Sequence, residues 1–592
     1  MTKKKTNQKF AEYRKKFSPR NSNFNFVPTR NPLGERRFLT SYNGSAFKDL
    51  EIYNVETELN ELAPNSTRNL INYISAFIRV PIYNLEDLVF RQETISELHK
   101  KDDLMKKAVE VKQEGDVVKY SRIYTTDGNF RDQNLQTLEN AKNLVYFVDK
   151  VKKKISSAKS PFLKDITTFV EKLDKDKRFN VVRDFVKGIY VPSNLGDVIY
   201  KVETALYFKN LDDIPTKRKF FENTKIIIES LESLLMEDSQ KEFISTIEGK
   251  AVHILDSLKE RVDFYNNELF RFKGNERAFQ EGNNHNFLEM TQYLGNLLRE
   301  AVDARMPEVH LENLPEELGT YIAAAKLQKK WAERGIPVTR PTLLDKRERK
   351  TKITRSYNTT LISSDTKTIP NDIISNPDEN LFVVEGPNNG GKTTYIRQVG
   401  QIYWVAQLGM WIPAKKAEIS VVDGIYTSIG SDDNTKAGTG QYLTELNRVC
   451  EFTSPSNGQL HTTPYSLLFF DEFANGTDHE EGVYRTRVVL DHLSMKGVTS
   501  YFTTHKHEIG AMIENGEILG GVNLAAEVKK NGQGIETTHR ILRGAREGSY
   551  GNVIAETKGI TPERLRENMT NEIKNGKYDI AHTRMNGRGG RK

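Results

Sequence analysis

The sequence predicts a multidomain chain in which an all-α core and long helical arms precede an α/β domain. Three observations carry this. From about residue 45 to 340, apolar residues recur at helical spacing with little strand signal. Beyond Pro341, short strand-like runs at 381–384, 419–422, 467–470 and 499–503 alternate with helical segments. And 592 residues are too many for one core. The expected divisions are a basic N-terminal arm at 1–44, a helical core at 45–215, a long-helix lever or clamp region at 216–339, the α/β domain at 340–565 and a basic tail at 566–592.

The arm, residues 1–40, holds eleven Lys and Arg against two acids, and the last nine residues, RMNGRGGRK, add four bases. The formal charge of the whole chain is +7, so the body between these ends is net acidic. Such ends suit contact with a polyanion, and they equally serve to keep a protein soluble. MTKKKTNQKFAEYRKKF has no apolar stretch behind it and is not a secretory signal. No run approaches the ~18–20 apolar residues of a membrane span, so no membrane partner is expected. One cysteine, Cys450, excludes an internal disulfide framework and points to a cytoplasmic protein.

In the core, Leu70, Ile74, Phe77 and Ile78 fall at helical spacing, Pro81 interrupts, and Leu85, Leu88, Ile95 and Leu98 resume it. Residues 221–273 carry Ile227, Leu231, Leu234, Phe243, Ile247, Leu255, Leu258, Val262, Tyr265 and Leu269 with no proline. A continuous helix of that length runs roughly 70–80 Å at 1.5 Å per residue. FLEMTQYLGNLLREAVDARM and LPEELGTYIAAAKLQKKWAERG continue the pattern. Long helices joined by loops make a lever; a helical bundle is the other outcome.

The α/β domain opens with LFVVEGPNNGGKTTYIRQVG, residues 381–400: an apolar strand, a glycine-rich loop, a lysine, two threonines and a helical pattern. In Gly386-Pro387-Asn388-Asn389-Gly390-Gly391-Lys392-Thr393-Thr394, glycines let backbone N–H groups wrap the phosphates of a nucleotide triphosphate. Lys392 reaches the outer phosphates and the Thr393 hydroxyl ligates Mg²⁺. Leu467–Phe470 reads as a buried strand ending in Asp471, suited to the Mg²⁺ shell, and Glu472, the expected catalytic carboxylate that orients water. VTSYFTTH ends in His505, placed to hydrogen-bond the γ-phosphate. THKHE lacks His-Glu-x-x-His spacing, so no metal beyond Mg²⁺ is expected.

Seven stretches then occur in one order: IPNDI (369–373), EGPNNGGKTTYIRQVG, AQLGMWIPAKKAEI (406–419), SIGSDDN (428–434), FFDEFANGTDHEEG (469–482), TTHKHEI (503–509) and GSYGNVIA (548–555). In these the chain resembles the ATPase of the MutS family of DNA mismatch repair proteins. STRNLINYISAFIRVPIYNLEDLVFRQETISELHK resembles the start of that family's helical core. The resemblance implies an ABC-type P-loop ATPase with ATP and Mg²⁺ as cofactors and Asn371 among the nucleotide-binding residues. It also implies a homodimer whose sites are completed in trans by Gly440 and Gln441, with Asn475 and Gly476 at the same junction. Gly440 stands where the family has a serine, leaving backbone N–H groups and Gln441 at the partner's γ-phosphate.

Full-length mismatch sensors begin with a domain carrying a Phe-x-Glu wedge. Here that tripeptide occurs at Phe10, Phe169, Phe220 and Phe287 and is uninformative. The other bacterial branch usually carries a nuclease domain after the ATPase; here TRMNGRGGRK follows soon after it, and no nuclease activity is expected. The expected function is therefore an ATP-dependent, nucleoid-associated clamp on double-stranded or branched DNA with little mismatch preference, alongside other repair or recombination proteins. The alternative is a related ATPase acting on ribosomes or structured RNA.

Overall fold

The computed structural model describes residues 23–26, 46–79, 81–121, 130–189, 302, 306–364, 366–430, 441–453, 462–531, 534–544 and 560–574. They fall into two compact units, one drawn from 1–30 and 100–322, the other from 31–99 and 323–592. The expected long helices at 221–273 and 287–305 lie outside the described residues except for Val302, which is buried.

The first unit is helical. It contains α4 (Asp102–Ser121), α5 (Phe130–Lys154), α6 (Pro161–Asp174) and α7 (Lys177–Ile189), numbered after three helices of the second unit. Leu104, Ala108 and Val111 of α4 and Leu144, Val148 and Val151 of α5 are buried at three- and four-residue spacing, the stripe a packed helix requires. Glu110 ties the two helices by accepting from Lys150 at 3.2 Å and Lys154 at 2.9 Å. Pro161 opens α6 at a position where a missing N–H costs nothing. A short parallel pair, β1 (Asn23–Asn25) with β2 (Glu308–His310), brings Phe26 edge-on to Phe162 and Phe169 at 5.9 and 5.7 Å.

The second unit holds α1 (Tyr53–Leu62), α2 (Arg68–Arg79) and α3 (Leu85–Lys100) together with the α/β residues. The expected helices around Leu70 to Ile78 and Leu88 to Leu98 form and bury those residues. The sequence pattern groups them with the helical core at 45–215, whereas their contacts place them with the α/β residues. α8 (Leu314–Glu333) realises the third expected long helix.

Two sheets follow. The larger runs β12 (Gly534–Arg543), β11 (Gly521–Asn531), β6 (Leu381–Glu385), β10 (Thr499–Thr504), β9 (Ser466–Asp471) and β8 (Gly424–Ser428), parallel except for the edge strand β12. The smaller runs β3 (Thr342–Leu344), β7 (Lys416–Ser420), β4 (Thr351–Ser356) and β5 (Asn371–Ser375). The strand expected at 419–422 therefore begins three residues earlier and belongs to this second sheet. Strands β6, β9 and β10 are buried on both faces, which is why they read as unbroken apolar runs. On one face Phe470 stacks on Phe502 at 4.3 Å. On the other, Tyr501 stacks on Phe382 at 4.7 Å and on Phe469 at 5.7 Å.

α10 (Lys392–Ala406), numbered after the short α9 (Thr359–Ser363), joins the site to the N-terminal helices. Arg397 Nε donates to Asp49 O at 3.1 Å, Gln401 Nε2 to Leu50 O at 2.9 Å and Trp404 Nε1 to Ile78 O at 2.8 Å. At Gly400, which faces Leu50, an added Cβ would lie 2.5 Å from Leu50 Cδ2. This row of side-chain bonds to buried carbonyls explains why residues 46–99 share a unit with the site.

Candidate nucleotide-binding site

Strand β6 delivers the chain to the loop at 386–391, and α10 leaves it. Gly386 has φ 152° and an added Cβ would sit 2.6 Å from Ala526 Cβ, so both conformation and space require glycine there. Gly391 caps α10 with φ 89°. The first turn of any helix leaves N–H groups without internal acceptors, and here they belong to the residues that follow Gly391, which makes an anion cradle. Pro387 and Gly390 are buried in the loop, while Asn388, Asn389 and Thr394 are exposed.

Lys392 is 5% exposed, and its ammonium donates to the carbonyls of Gly386 at 3.2 Å and Pro387 at 3.4 Å. Its Nζ also lies 3.2 Å from His505 Nε2 and 3.9 Å from Glu472 Oε1. The Thr393 hydroxyl donates to Asp471 Oδ1 at 2.9 Å, and Thr503 Oγ1 donates to the same oxygen at 2.5 Å. A hydroxyl and a carboxylate that close form the hard oxygen set Mg²⁺ takes. These residues fit the ion that the sequence expects.

Glu472 follows β9 with φ 51°, in the left-handed region. Its N–H donates to Thr503 O at 3.1 Å and to Thr503 Oγ1 at 3.0 Å. Its carboxylate accepts at both oxygens, from His505 Nε2 at 2.9 Å and Asn475 Nδ2 at 2.8 Å. The hydrogen bond from His505 holds the Glu472 carboxyl below its usual range. An Nε2 that donates to Glu472 has no lone pair for Lys392, so the Lys392 contact is a proximity of donors rather than a second bond.

Asn371 is placed differently from the loop residues. Its Oδ1 accepts from Ile541 N at 2.8 Å and its Nδ2 donates to His539 O at 3.2 Å, clipping β5 to the edge strand β12. His539, with φ 59°, then lies against Gly391, where an added Cβ would be 3.5 Å from His539 Nδ1. Of the residues expected in trans, Gly440 is outside the described residues and Gln441 starts α11 (Gln441–Thr453). Asn475 and Gly476 are exposed on the turn after β9, and a Cβ on Gly476 would be 3.2 Å from Tyr442 Cβ. One chain thus brings the start of α11 beside Gly476.

Sequence reasoning missed Lys506, Glu445, Thr503 and His539. Lys506 stands in THKHE; it is 4% exposed, and its ammonium donates to Phe473 O at 3.0 Å and Asn475 Oδ1 at 2.8 Å. Glu445 accepts from Ala474 N at 3.0 Å. Nothing local in the sequence marks these residues, because their partners are distant along the chain: 29 positions for Glu445, 33 for Lys506 and 168 for His539.

Residues 382–575 match the family model for MutS domain V. The chain is 35% identical over 201 residues to the DNA mismatch repair protein MutS of Caldicellulosiruptor saccharolyticus, covering 33% of this chain and 22% of the relative. It is 36% identical over 194 residues to that of Acetivibrio thermocellus, with 32% and 21% covered. With that of Lactobacillus delbrueckii subsp. bulgaricus it shares 31% over 273 residues, 46% of this chain and 30% of the relative. The chain therefore spans less than a third of the length of these curated relatives. Among the described residues no helix is long and apolar enough to cross a membrane.

Proposed function

In its C-terminal part the chain belongs to the MutS family, and from that premise we propose that the second unit is an ATPase whose cycle drives a DNA-binding dimer. The observation that carries the proposal is the convergence of three strand ends on Lys392. Asp471 meets Thr393, while Glu472 and His505 meet each other beside the lysine ammonium.

In this reading the N–H groups at the start of α10 and the Lys392 ammonium bind the phosphates. Thr393 and Asp471 hold Mg²⁺, which when bound neutralises charge on the phosphate oxygens. Glu472, a carboxylate held by its hydrogen bond from His505, orients the attacking water and takes its proton. His505, at the end of β10, supplies a donor near the transferred phosphate. Asn371 acts on the site through β12, holding the strand that carries His539 beside Gly391.

The dimer is proposed from the family resemblance, which assigns Gly440, Gln441, Asn475 and Gly476 to a partner's site; of these, Asn475 and Gly476 are exposed on the turn after β9. Light scattering at micromolar protein with ATP and Mg²⁺ is expected to give twice the 67.8 kDa chain mass. A monomer would refute the composite site.

The proposed ligand is double-stranded DNA, with branched forms favoured because two converging duplexes fill a pair of arms. Among the described residues the one Phe-x-Glu tripeptide supports no mismatch preference, because its Phe169 is buried against Phe26. Affinity then comes mainly from phosphate contacts, so binding falls steeply with salt, with a log–log slope near −0.9 per phosphate neutralised. Nothing in the named relatives favours the ribosome alternative.

Electrophoretic binding to matched, mismatched and four-way DNA and to structured RNA, with and without ATP, tests this. Matched and mismatched duplex are expected within a few-fold. A hundredfold preference for one mispair, about 2.7 kcal/mol, or tighter binding to RNA, would overturn it.

A further inference from the structure

The turn that carries Glu472 has two residues in the left-handed region, Glu472 with φ 51° and Ala474 with φ 57°. Neither is glycine, so the shape persists only where neighbours enforce it. Part of the enforcement comes from the residue after His505. Lys506 donates to Phe473 O, inside the turn, and to Asn475 Oδ1, at its end. Space is reserved for it: an added Cβ on Gly482 would sit 2.8 Å from Lys506 Cε, so the first turns of α12 (His479–Lys496) leave room for this side chain.

The chemistry of the pair decides which way Asn475 faces. An ammonium can only donate, so the amide of Asn475 must present its oxygen to Lys506 and its NH₂ elsewhere. Elsewhere is Glu472 Oε2, 2.8 Å away, while Glu472 Oε1 accepts from His505 at 2.9 Å. The bonds form a closed circuit: His505 to Glu472, Asn475 to Glu472, Lys506 to Asn475, and one peptide bond from Lys506 back to His505.

We propose that Lys506 is a positioning residue for hydrolysis: by fixing the Asn475 amide it holds the Glu472 carboxylate in the orientation that meets His505. This rests on the ATPase reading of the second unit. Asn475 is exposed whereas Lys506 is buried, so a partner subunit or ligand that engages the amide of Asn475 competes with Glu472 for it. The circuit thereby links whatever touches the turn at 475–476 to the orientation of the carboxylate. Burial lowers the Lys506 pKa, opposed by Glu445 of α11, by Glu472 and by Glu508. Carboxylates thus face the ammonium from three elements and favour its charged, donating form.

The test uses the full chain with Lys506→Met, Lys506→Arg, Asn475→Ala and the double variant Lys506→Met/Asn475→Ala. Steady-state kinetics are expected to show kcat down at least tenfold in Lys506→Met and in Asn475→Ala with KM for ATP within about threefold. Lys506→Arg should recover part of the rate, and the double variant should be no slower than the slower single. A readout free of turnover is the crystal structure of Lys506→Met, expected to show Asn475 turned and Glu472 withdrawn from His505. Losses that multiply in the double variant, an unchanged kcat in Asn475→Ala, or an unmoved Glu472 would overturn the proposal. If Lys506→Met does not fold, the exposed Asn475→Ala decides alone. If the wild type turns over no ATP, the ATPase reading fails, and the crystal structure still decides whether Lys506 positions Glu472.

Discussion

Two segments meet at Lys392, the loop at 386–391 and the turn at 471–475, and both depart from ordinary backbone conformations. In the loop the left-handed positions are Gly386, Asn389 and Gly391, residue types that tolerate positive φ. In the turn they are Glu472 and Ala474, which do not. The loop therefore keeps its shape by composition. The turn is pinned from outside: Thr503 takes the Glu472 N–H, Lys506 holds the Phe473 carbonyl, and Glu445 takes the Ala474 N–H. A phosphate cradle can be rigid on its own account, whereas a carboxylate held by its neighbours can be released by them.

The comparison can be broken at the point of chemistry. Glu472→Gln keeps the shape and the bond from His505 but removes the base, so hydrolysis is expected to fall at least ~100-fold. ATP affinity, measured by fluorescent-nucleotide titration, should stay within a few-fold. A wild-type rate would mean that the catalytic carboxylate is elsewhere.

Next in size is the loop's dependence on glycine. Gly386→Ala forces a methyl group onto Ala526 and is expected to cost about 2 kcal/mol in urea unfolding. Ala526→Gly in the same chain should restore part of this, because it removes the atom struck. No recovery would place the strain in the backbone dihedral alone.

The pinning of the turn is tested by Glu445→Ala, which leaves the Ala474 N–H without its acceptor at about 1.5 kcal/mol. Unlike Gly386→Ala, it should slow hydrolysis more than it weakens nucleotide binding. The smallest effect belongs to Asn371→Ala. It removes two bonds to the edge strand β12 at about 1 kcal/mol, and hydrogen exchange should rise first at Ile541.

The same contrast accounts for what could be read from the sequence. The loop was legible residue by residue, because its glycines, lysine and threonine are adjacent and each type has one conformational or chemical use. Asp471, Glu472 and His505 were legible as ends of apolar runs, since β9 and β10 are buried on both faces and tolerate little else. Lys506 and Glu445 were not, because a lysine next to a histidine and a glutamate in mid-helix look like solvated charges until the fold brings them to the turn. Asn371 was recognised by motif and assigned to the nucleotide, while its amide is engaged with β12. The grouping of residues 46–99 with the α/β residues also escaped notice, for Asp49, Leu50 and Ile78 meet α10 through backbone carbonyls that no side-chain pattern announces.

The central claim is that the loop and the turn together bind and hydrolyse ATP. It is tested most directly by measuring nucleotide binding and phosphate release side by side in the wild type and in Lys392→Ala. The account predicts Mg²⁺-dependent ATP binding and phosphate release in the wild type, with binding weakened at least tenfold and release abolished in Lys392→Ala. Equal binding and equal phosphate release in the two proteins would contradict it.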